Sequence, residues 1–471
     1  MTLRSRTTSA ALWQILARGA DRGLRFLASL VLARLLAPED FGLLAATMMV
    51  AGIVETLSYL GIDHAVIQSR REDARFLGTA FRVMAVRGAI LAAVTAALAP
   101  VAAWYFEDPA VTAMVMLVAL TPVATGLENP SMYIERKYLR FKPMSLAAIA
   151  GAVAQVAVSV GGAAAGLGAK ALALGFVASA AASTATGWML VRRPIELGRD
   201  AEATKELAGF AGRAAGVPFL IMLSTSAPSL ILGRIAGLDV LGIYSLAQRL
   251  CSLPTEIALP IFGTVLTPAY AGIKDDLDRV RRIWLKTLTG VAILVMPIVS
   301  GLVVLDERLP LVLYGEKYTG SSGLVSMIAV VGLVSSLSSC CGPMFWGLGR
   351  PQLDRWSIAI RLVVIAGLAP VAAWKGGATA FAGAVAVAHL AGLAYCLVVA
   401  RRIVSARRRE VLRALVPGAA LGGAALALGA LARAGVESLA LGEPFVVGAV
   451  LAVSGLAAAA GGLAIKRGVV G

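Results

Sequence analysis

The side chains that could do chemistry in this chain are charges that lie within otherwise apolar segments. The first such segment, which starts near Ala10, carries Arg18, Asp21, Arg22 and Arg25. In a helix, steps of four and three residues place the three arginines on one face, and Asp21 lies one turn from both Arg18 and Arg25. A guanidinium fork fits phosphate oxygens in a bidentate geometry. The spacing predicts an anion-binding face, with an internal salt-bridge cluster as the alternative.

This charged face restricts where the helix can lie if the segment crosses a membrane. On insertion scales one arginine at the centre of a span costs about 2.5–3.5 kcal/mol, so three facing lipid would cost about 8–10 kcal/mol. We therefore expect Arg18, Arg22 and Arg25 to face water in a cavity. The alternative is that the charges lie near a helix end and reach the membrane surface along their aliphatic stems.

Charges in later apolar segments are further candidates. Arg87, Arg213 and Arg249 lie within or near such segments, and we expect them to contribute to the same anion site. Glu55 and Glu256 occupy comparable places 201 residues apart. Carboxylates inside spans are candidate sites for a coupling proton or sodium ion. The alternative is that each glutamate neutralises a nearby arginine, because Glu256 lies two helical turns from Arg249.

The composition indicates that these segments lie in a membrane. Of the 471 residues, 59% are hydrophobic and 15% are charged, whereas a soluble domain carries about 25% charged residues. A span needs about 20 apolar residues, and the sequence supplies about fourteen such runs. The four cysteines show no metal-ligand spacing, and no nucleotide loop or catalytic triad is present. We expect an all-α integral membrane protein that is not an enzyme and that uses no cofactor or metal.

The net charge of +16 indicates how the chain is oriented in the membrane, and does not indicate that it binds nucleic acid. Basic residues concentrate in every second loop between apolar runs, whereas the intervening loops are acidic or carry few charges. Loops rich in Lys and Arg are cytoplasmic. Representative residues of the basic loops are Arg70, Arg136, Arg192, Arg281, Arg350 and Arg402. The alternation predicts an even number of spans, both termini in the cytoplasm and no nucleic-acid partner.

The chain also repeats itself at an offset of 200 residues. Four residues of the first copy, Leu30, Leu32, Arg34 and Gly42, recur as Leu230, Leu232, Arg234 and Gly242. Six spans in each copy give both the same orientation, so the repeat is parallel. We expect an N-lobe over residues 1–207, a C-lobe over 208–404 and two further helices over 405–471. Duplicated membrane chains of this kind are typical of transporters whose halves rock around a central site.

The repeated segment also resembles a known family. Residues 32–42 read Leu-Ala-Arg-Leu-Leu-Ala-Pro-Glu-Asp-Phe-Gly, and this run is similar to the first-loop motif of bacterial polysaccharide flippases of the Wzx type. Those proteins belong to the multidrug/oligosaccharidyl-lipid/polysaccharide exporter superfamily. Further matches follow in the right order: Gly61, Ile67, Gln68, Thr79, Phe81, Arg140, Lys142, Gly242, Tyr244, Leu253, Pro254, Gly315 and Tyr318.

The resemblance implies a substrate and a location. It implies a multi-pass protein of the bacterial inner membrane that moves an undecaprenyl-pyrophosphate-linked oligosaccharide from the cytoplasmic to the periplasmic leaflet. Its partners would then be the lipid-linked sugar and membrane lipid, with a proton or sodium gradient as the possible driving force. The chain departs from the family before Leu230, where an Asn and an Asp are common and this sequence has Ser226 and Pro228.

Three other functions remain open at this point. A multidrug cation antiporter of the same superfamily would need a cavity dominated by carboxylates, whereas the first helix here is mainly basic. A membrane polysaccharide polymerase or ligase would need a large outer loop with polar catalytic residues. The longest outer loop, about 306–322, is too short for that. The third function is a lipid-binding scaffold without turnover, which a reconstituted flipping assay would distinguish from a flippase.

Overall fold

The computed structural model of this chain describes residues 3–57, 62–198, 200–211, 216–318, 323–438 and 442–466. Within these ranges every regular element is helical, which confirms the predicted all-α class. The chain divides into two compact units, Met1–Ser226 and Ala227–Gly471, and the boundary falls inside a single helix. The predicted lobes with bounds at 207 and 404 stay a prediction.

The first unit contains eleven complete helices in the described ranges. They are α1 (Leu3–Leu35), α2 (Pro38–Leu57), α3 (Ile62–Gln68), α4 (Ala74–Ala97), α5 (Ala99–Phe106), α6 (Ala110–Val118), α7 (Leu120–Gly126), α8 (Ser131–Lys137), α9 (Lys142–Ala164), α10 (Ala169–Leu190) and α11 (Ala201–Ala211). The short helices α3 and α8 lie in segments that the sequence predicts as cytoplasmic loops.

The second unit follows the boundary helix, α12 (Gly216–Ala236). Its own helices are α13 (Leu238–Ala271), α14 (Leu277–Val304), α15 (Arg308–Tyr314), α16 (Leu324–Ser339), α17 (Gly342–Gly347), α18 (Gln352–Ile403), α19 (Arg408–Ser438) and α20 (Glu443–Lys466). A single 3₁₀ turn, Glu316–Tyr318, follows α15.

The motif that is repeated in the sequence begins with a break between two helices. In the first copy Pro38 starts α2, where its missing N–H is not needed. Asp40 holds the break, because its Oδ2 accepts a hydrogen bond from the Ala37 N–H (2.9 Å). Its Oδ1 accepts another from the Ala169 N–H (2.8 Å), which ties the break to the start of α10.

The second copy of the motif folds with the same break. Here α12 ends at Ala236, α13 begins at Leu238, and Gly237 lies between them with φ +93°. This backbone conformation suits glycine because it has no Cβ. The 200-residue repeat in the sequence therefore corresponds to the same local structure in both units.

Eight helical stretches in the described parts of the chain are long and apolar enough to cross a membrane. A ninth is added if Ala110–Gly126 and α8, which are joined by a 64° bend, together count as one span. Helix α1 is not among them. Helix α18, with 52 residues, would be about 78 Å long if straight, but Gly377 breaks it with φ +63°. Gly392 packs against Arg361 and the Ser357 carbonyl oxygen, so the two halves of α18 run antiparallel. The predicted total of about fourteen spans stays a prediction.

Residues 191–198 follow α10 and lead towards α11, and part of this segment lies against α4. Gly78 of α4 permits this approach, because a Cβ there would lie 1.8 Å from the Glu196 carbonyl oxygen. The Glu196 N–H donates to the Ala74 carbonyl oxygen (3.0 Å). Helix α11 buries Ala203 and Leu207 in an apolar cluster. Other buried members of this cluster come from α3, α4 and α8: Ile62, Val66, Phe76, Leu77 and Ile134.

Ion pairs surround this apolar cluster and link the connecting segment to the rest of the unit. The shortest are Arg71–Asp200 (2.6 Å), Lys137–Glu72 (2.7 Å) and Arg193–Glu135 (2.8 Å). Most of these side chains are less than one-third exposed. The basic residues of these predicted cytoplasmic segments are therefore largely matched by acids.

In the second unit, α14 packs between α19 and α20 through small residues. A Cβ on Gly418 of α19 would lie 2.5 Å from the Ala292 carbonyl carbon, and one on Gly461 of α20 would lie 2.2 Å from the Ile293 Cγ2. Glycines at such positions let helix backbones approach closely where no hydrophobic effect drives association. The last two helices are thereby fastened to α14.

Candidate anion-binding site

The charged face predicted from the sequence lies on α1, which packs against α9 and contacts α10 through Arg25. Ser145 Oγ donates to the Trp13 carbonyl oxygen (3.2 Å), and the Lys142 ammonium lies 5.8 Å from the centre of the Trp13 ring. Helices α9 and α10 pack closely on each other at small residues, since a Cβ on Gly151 would lie 2.3 Å from Ser183 Oγ. This pair forms the surface that faces α1.

Arg25 is the best-defined member of this face. Its Nε donates to Asp21 Oδ1 (2.7 Å), and its Nη2 donates to Ser179 Oγ of α10 (3.3 Å). The Arg25 and Asp21 side chains are 28% and 29% exposed. A guanidinium carries five N–H donors in one plane, so these two contacts orient the plane and leave three donors for a ligand.

Arg18 and Arg22 extend the site along the helix. The Arg18 side chain is exposed, and the Arg22 side chain is half-buried and takes part in a further contact. Seven residues separate Arg18 from Arg25, which corresponds to about 10 Å of helix. Three arginines and one aspartate give this face a formal charge of +2. A strip of this length and charge can bind an anion with more than one phosphate.

Two of the other predicted anion-site residues lie on other helices of the described chain. Arg87 is half-buried on α4, and Arg249 is half-buried on α13 of the second unit. Arg213 lies outside the described residues. Glu256 belongs to α13, but its side chain is not among those described. The roles of these residues stay predictions.

Glu55 has a neighbour that sequence reasoning missed. Its side chain is exposed near the end of α2, and it interacts electrostatically with Glu128, which lies between α7 and α8. Tyr133 Oη donates to Glu128 Oε2 (3.4 Å). Ser179 was also missed, because one serine among many carries no signal until α10 is known to face α1. Glu128 had a signal, since it is an acid at the end of a predicted apolar run.

Metal and thiol chemistry gain no support from the described part of the chain. No group of three or more His, Cys, Asp or Glu side chains in it is arranged to hold a metal ion. The four cysteines are buried free thiols: Cys251, Cys340, Cys341 and Cys396.

The fold matches known membrane transporters. The lipid II flippase MurJ in an inward closed conformation superposes with a TM-score of 0.74 at 12% identity, over 98% of this chain and 100% of that one. An inward-facing MATE family multidrug resistance transporter of the MOP superfamily gives a TM-score of 0.62 at 16% identity, over 82% and 95% of the two chains. These matches show the class of fold: this chain shares the fold of helical membrane transporters.

Residues 31–323 match the family described as polysaccharide biosynthesis protein, and the chain belongs to that family. The lipopolysaccharide biosynthesis protein WzxC of Escherichia coli K12 is 24% identical, over 75% of this chain and 72% of WzxC. The succinoglycan biosynthesis transport protein ExoT of Rhizobium meliloti is 21% identical, over 77% and 74%. The resemblance to polysaccharide flippases that the motifs indicate is thereby confirmed.

Proposed function

We propose that this protein moves a lipid-linked oligosaccharide with a diphosphate head group from the cytoplasmic to the outer leaflet of the bacterial inner membrane. The observation that carries the proposal is the oriented guanidinium of Arg25, held by Asp21 and Ser179 on a helix that also presents Arg18 and Arg22. Membership of the polysaccharide biosynthesis family and the fold shared with a lipid II flippase support the same substrate class.

The charged face of α1, formed by Arg18, Asp21, Arg22 and Arg25, is called the α1 face. It would bind the diphosphate, because paired guanidiniums match phosphate oxygens in charge and geometry. The oligosaccharide would be surrounded by water, and the polyprenyl chain would stay in the bilayer. Arg87, Arg213 and Arg249 are proposed as further contacts to the anionic substrate. In the alternating-access scheme that the internal repeat predicts, the α1 face opens first to one side of the membrane and then to the other.

An ion gradient would drive the cycle through intramembrane carboxylates. Glu55 is the proposed site in the first unit, and its electrostatic interaction with Glu128 supports this role, because two neighbouring carboxylates favour uptake of a proton or cation. Glu256 is the proposed counterpart in the second unit. Both termini would lie in the cytoplasm, as the alternation of basic loops predicts.

The test is transport by purified protein in vesicles that contain a fluorescent diphosphate-linked polyprenyl oligosaccharide on one leaflet. Arg22→Ala and Arg25→Ala should each reduce the flipping rate at least tenfold, because a hydrogen bond to a charged group contributes about 1.5–3 kcal/mol. Lys170→Gln is the matched control, since it removes an exposed positive charge from α10 without touching the α1 face. Its rate should equal that of the parent.

Two outcomes would overturn the proposal. Normal flipping by the folded Arg22→Ala and Arg25→Ala variants would remove the α1 face from the mechanism. Transport of a cationic dye without movement of the lipid-linked sugar would make the protein a multidrug antiporter instead.

A further inference from the structure

The segment that connects α18 to α19 carries an unusual concentration of positive charge. Between residues 401 and 413, six side chains are arginines and one, Glu410, is acidic. The arginines are Arg401, Arg402, Arg407, Arg408, Arg409 and Arg413. Arg401 is half-buried and the other five are exposed. We call these six residues the arginine segment.

Acids do not neutralise the arginine segment. Across the described portion of the chain, no acidic side chain forms an ion pair with any of its six guanidiniums. The Oε2 of Glu410 instead accepts a hydrogen bond from the Arg407 backbone N–H (2.6 Å) and caps the start of α19. The positive end of the α19 dipole adds to the charge of the segment.

The basic loops of the first unit differ in this respect. There Arg71, Lys137 and Arg193 each form ion pairs with carboxylates, at 2.6–2.8 Å for the shortest contact of each. The charge alternation places both regions in the cytoplasm. Either arrangement would serve to orient the protein in the membrane, and the lack of ion pairs leaves the arginine segment available to an anionic partner.

The position of the segment indicates what kind of partner this is. It immediately precedes the apolar part of α19, a candidate membrane span. Spacings of three and four residues place Arg409, Leu412, Arg413 and Val416 on one face of that helix. Leu412 is 63% exposed and Val416 is 59% exposed. A phosphate head group could contact the arginines while its acyl chain lies along these apolar side chains.

We propose that the arginine segment binds an anionic phospholipid of the cytoplasmic leaflet, of the phosphatidylglycerol or cardiolipin class. The guanidiniums bind the phosphodiester oxygens, and Leu412 and Val416 contact the acyl chain. This site is distinct from the α1 face, which is proposed to bind the transported lipid. Each arginine near an anionic membrane surface contributes about fivefold in affinity, so three contribute on the order of a hundredfold.

The experiment titrates the full-length protein in a neutral detergent with phosphatidylglycerol or phosphatidylcholine of identical acyl chains, followed by native mass spectrometry. The parent protein should bind phosphatidylglycerol at least tenfold more tightly. The triple variant Arg407→Gln, Arg408→Gln and Arg409→Gln should lose roughly a hundredfold. Raising the salt from 0.1 to 1 M should weaken binding to the parent, because the Debye length falls from about 10 to about 3 Å.

The matched control removes the same charge from a segment where aspartates are close by. Lys274→Gln, Arg279→Gln and Arg282→Gln change three exposed residues near the start of α14, beside Asp275, Asp276 and Asp278. This variant should bind phosphatidylglycerol within twofold of the parent. If the triple arginine variant does not fold, Arg408→Gln and Arg413→Gln are measured singly, with about fivefold loss expected for each.

Three results would overturn the proposal. Equal affinity for the two lipids would show that charge does not matter. An equal loss in the control variant would show that no particular segment is responsible. Displacement of phosphatidylglycerol by an acidic peptide or an oligonucleotide at lower concentration would assign the segment to a macromolecular partner instead.

Discussion

Replacing Gly78 by alanine should detach the segment that connects α10 to α11 from α4. The new Cβ would lie 1.8 Å from the Glu196 carbonyl oxygen and 2.6 Å from its carbonyl carbon. Real Cβ contacts essentially never fall below 3.0 Å, so the two backbones must separate by more than 1 Å. Overpacking of this kind costs about 1–3 kcal/mol, and the shift also lengthens the hydrogen bond from the Glu196 N–H to the Ala74 carbonyl oxygen.

The assay compares unfolding of the parent and the Gly78→Ala variant in detergent, together with protease cleavage within residues 191–200. The variant should lose about 1–3 kcal/mol and be cleaved faster. Gly161→Ala in α9 is the matched control, because no atom lies within 4 Å of its Cβ. There alanine should stabilise the helix by up to about 1 kcal/mol. Equal stability and cleavage of the Gly78→Ala variant and the parent would refute the described packing of this segment.

Three further perturbations have defined outcomes. Ser179→Ala removes one partner of Arg25 without changing charge, and should weaken binding of a soluble diphosphate about fivefold in calorimetry while leaving stability unchanged. A hydrogen bond from Lys137 lowers the pKa of Glu72 below its ordinary value of 4.5, so this contact stabilises the fold above that value. The contribution is lost as the pH falls through the lowered pKa, and Glu72→Gln should show a smaller loss of stability between neutral and acidic pH. Arg308→Gln breaks contacts to two half-exposed glutamates at the ends of α19 and α20, and should cost about 1 kcal/mol or less in thermal unfolding.

The Asp21–Arg25 pair shows what could be predicted from the sequence. A spacing of four residues within a helix brings these side chains together regardless of the rest of the fold, and the structure places them 2.7 Å apart. The helix break before Pro38 and the one at Gly237 also depend only on neighbouring residues. Proline has a fixed φ that suits the first position of a helix, and glycine permits the positive φ found at Gly237.

The partners of the charged groups could not be predicted in this way. Ser179 lies 154 residues from Arg25 along the chain, and Glu128, which interacts electrostatically with Glu55, lies 73 residues from it. The predicted cytoplasmic loops contain the short helices α3 and α8, whose apolar side chains are buried by α11. Their hydrophobic runs are too short to be recognised by periodicity.

The sequence by itself determined that this is a helical membrane protein with an internal repeat and a cationic first helix. Each of these properties depends on composition or on spacing within one segment, and the free energy of burying apolar residues in lipid is nearly additive along the chain. Only the tertiary structure decided which charges find partners. Arg71 and Arg193 form ion pairs with carboxylates, whereas the arginine segment forms none with any acid in the described ranges. Pairing depends on which distant helices pack together, and local periodicity contains no information about that contact.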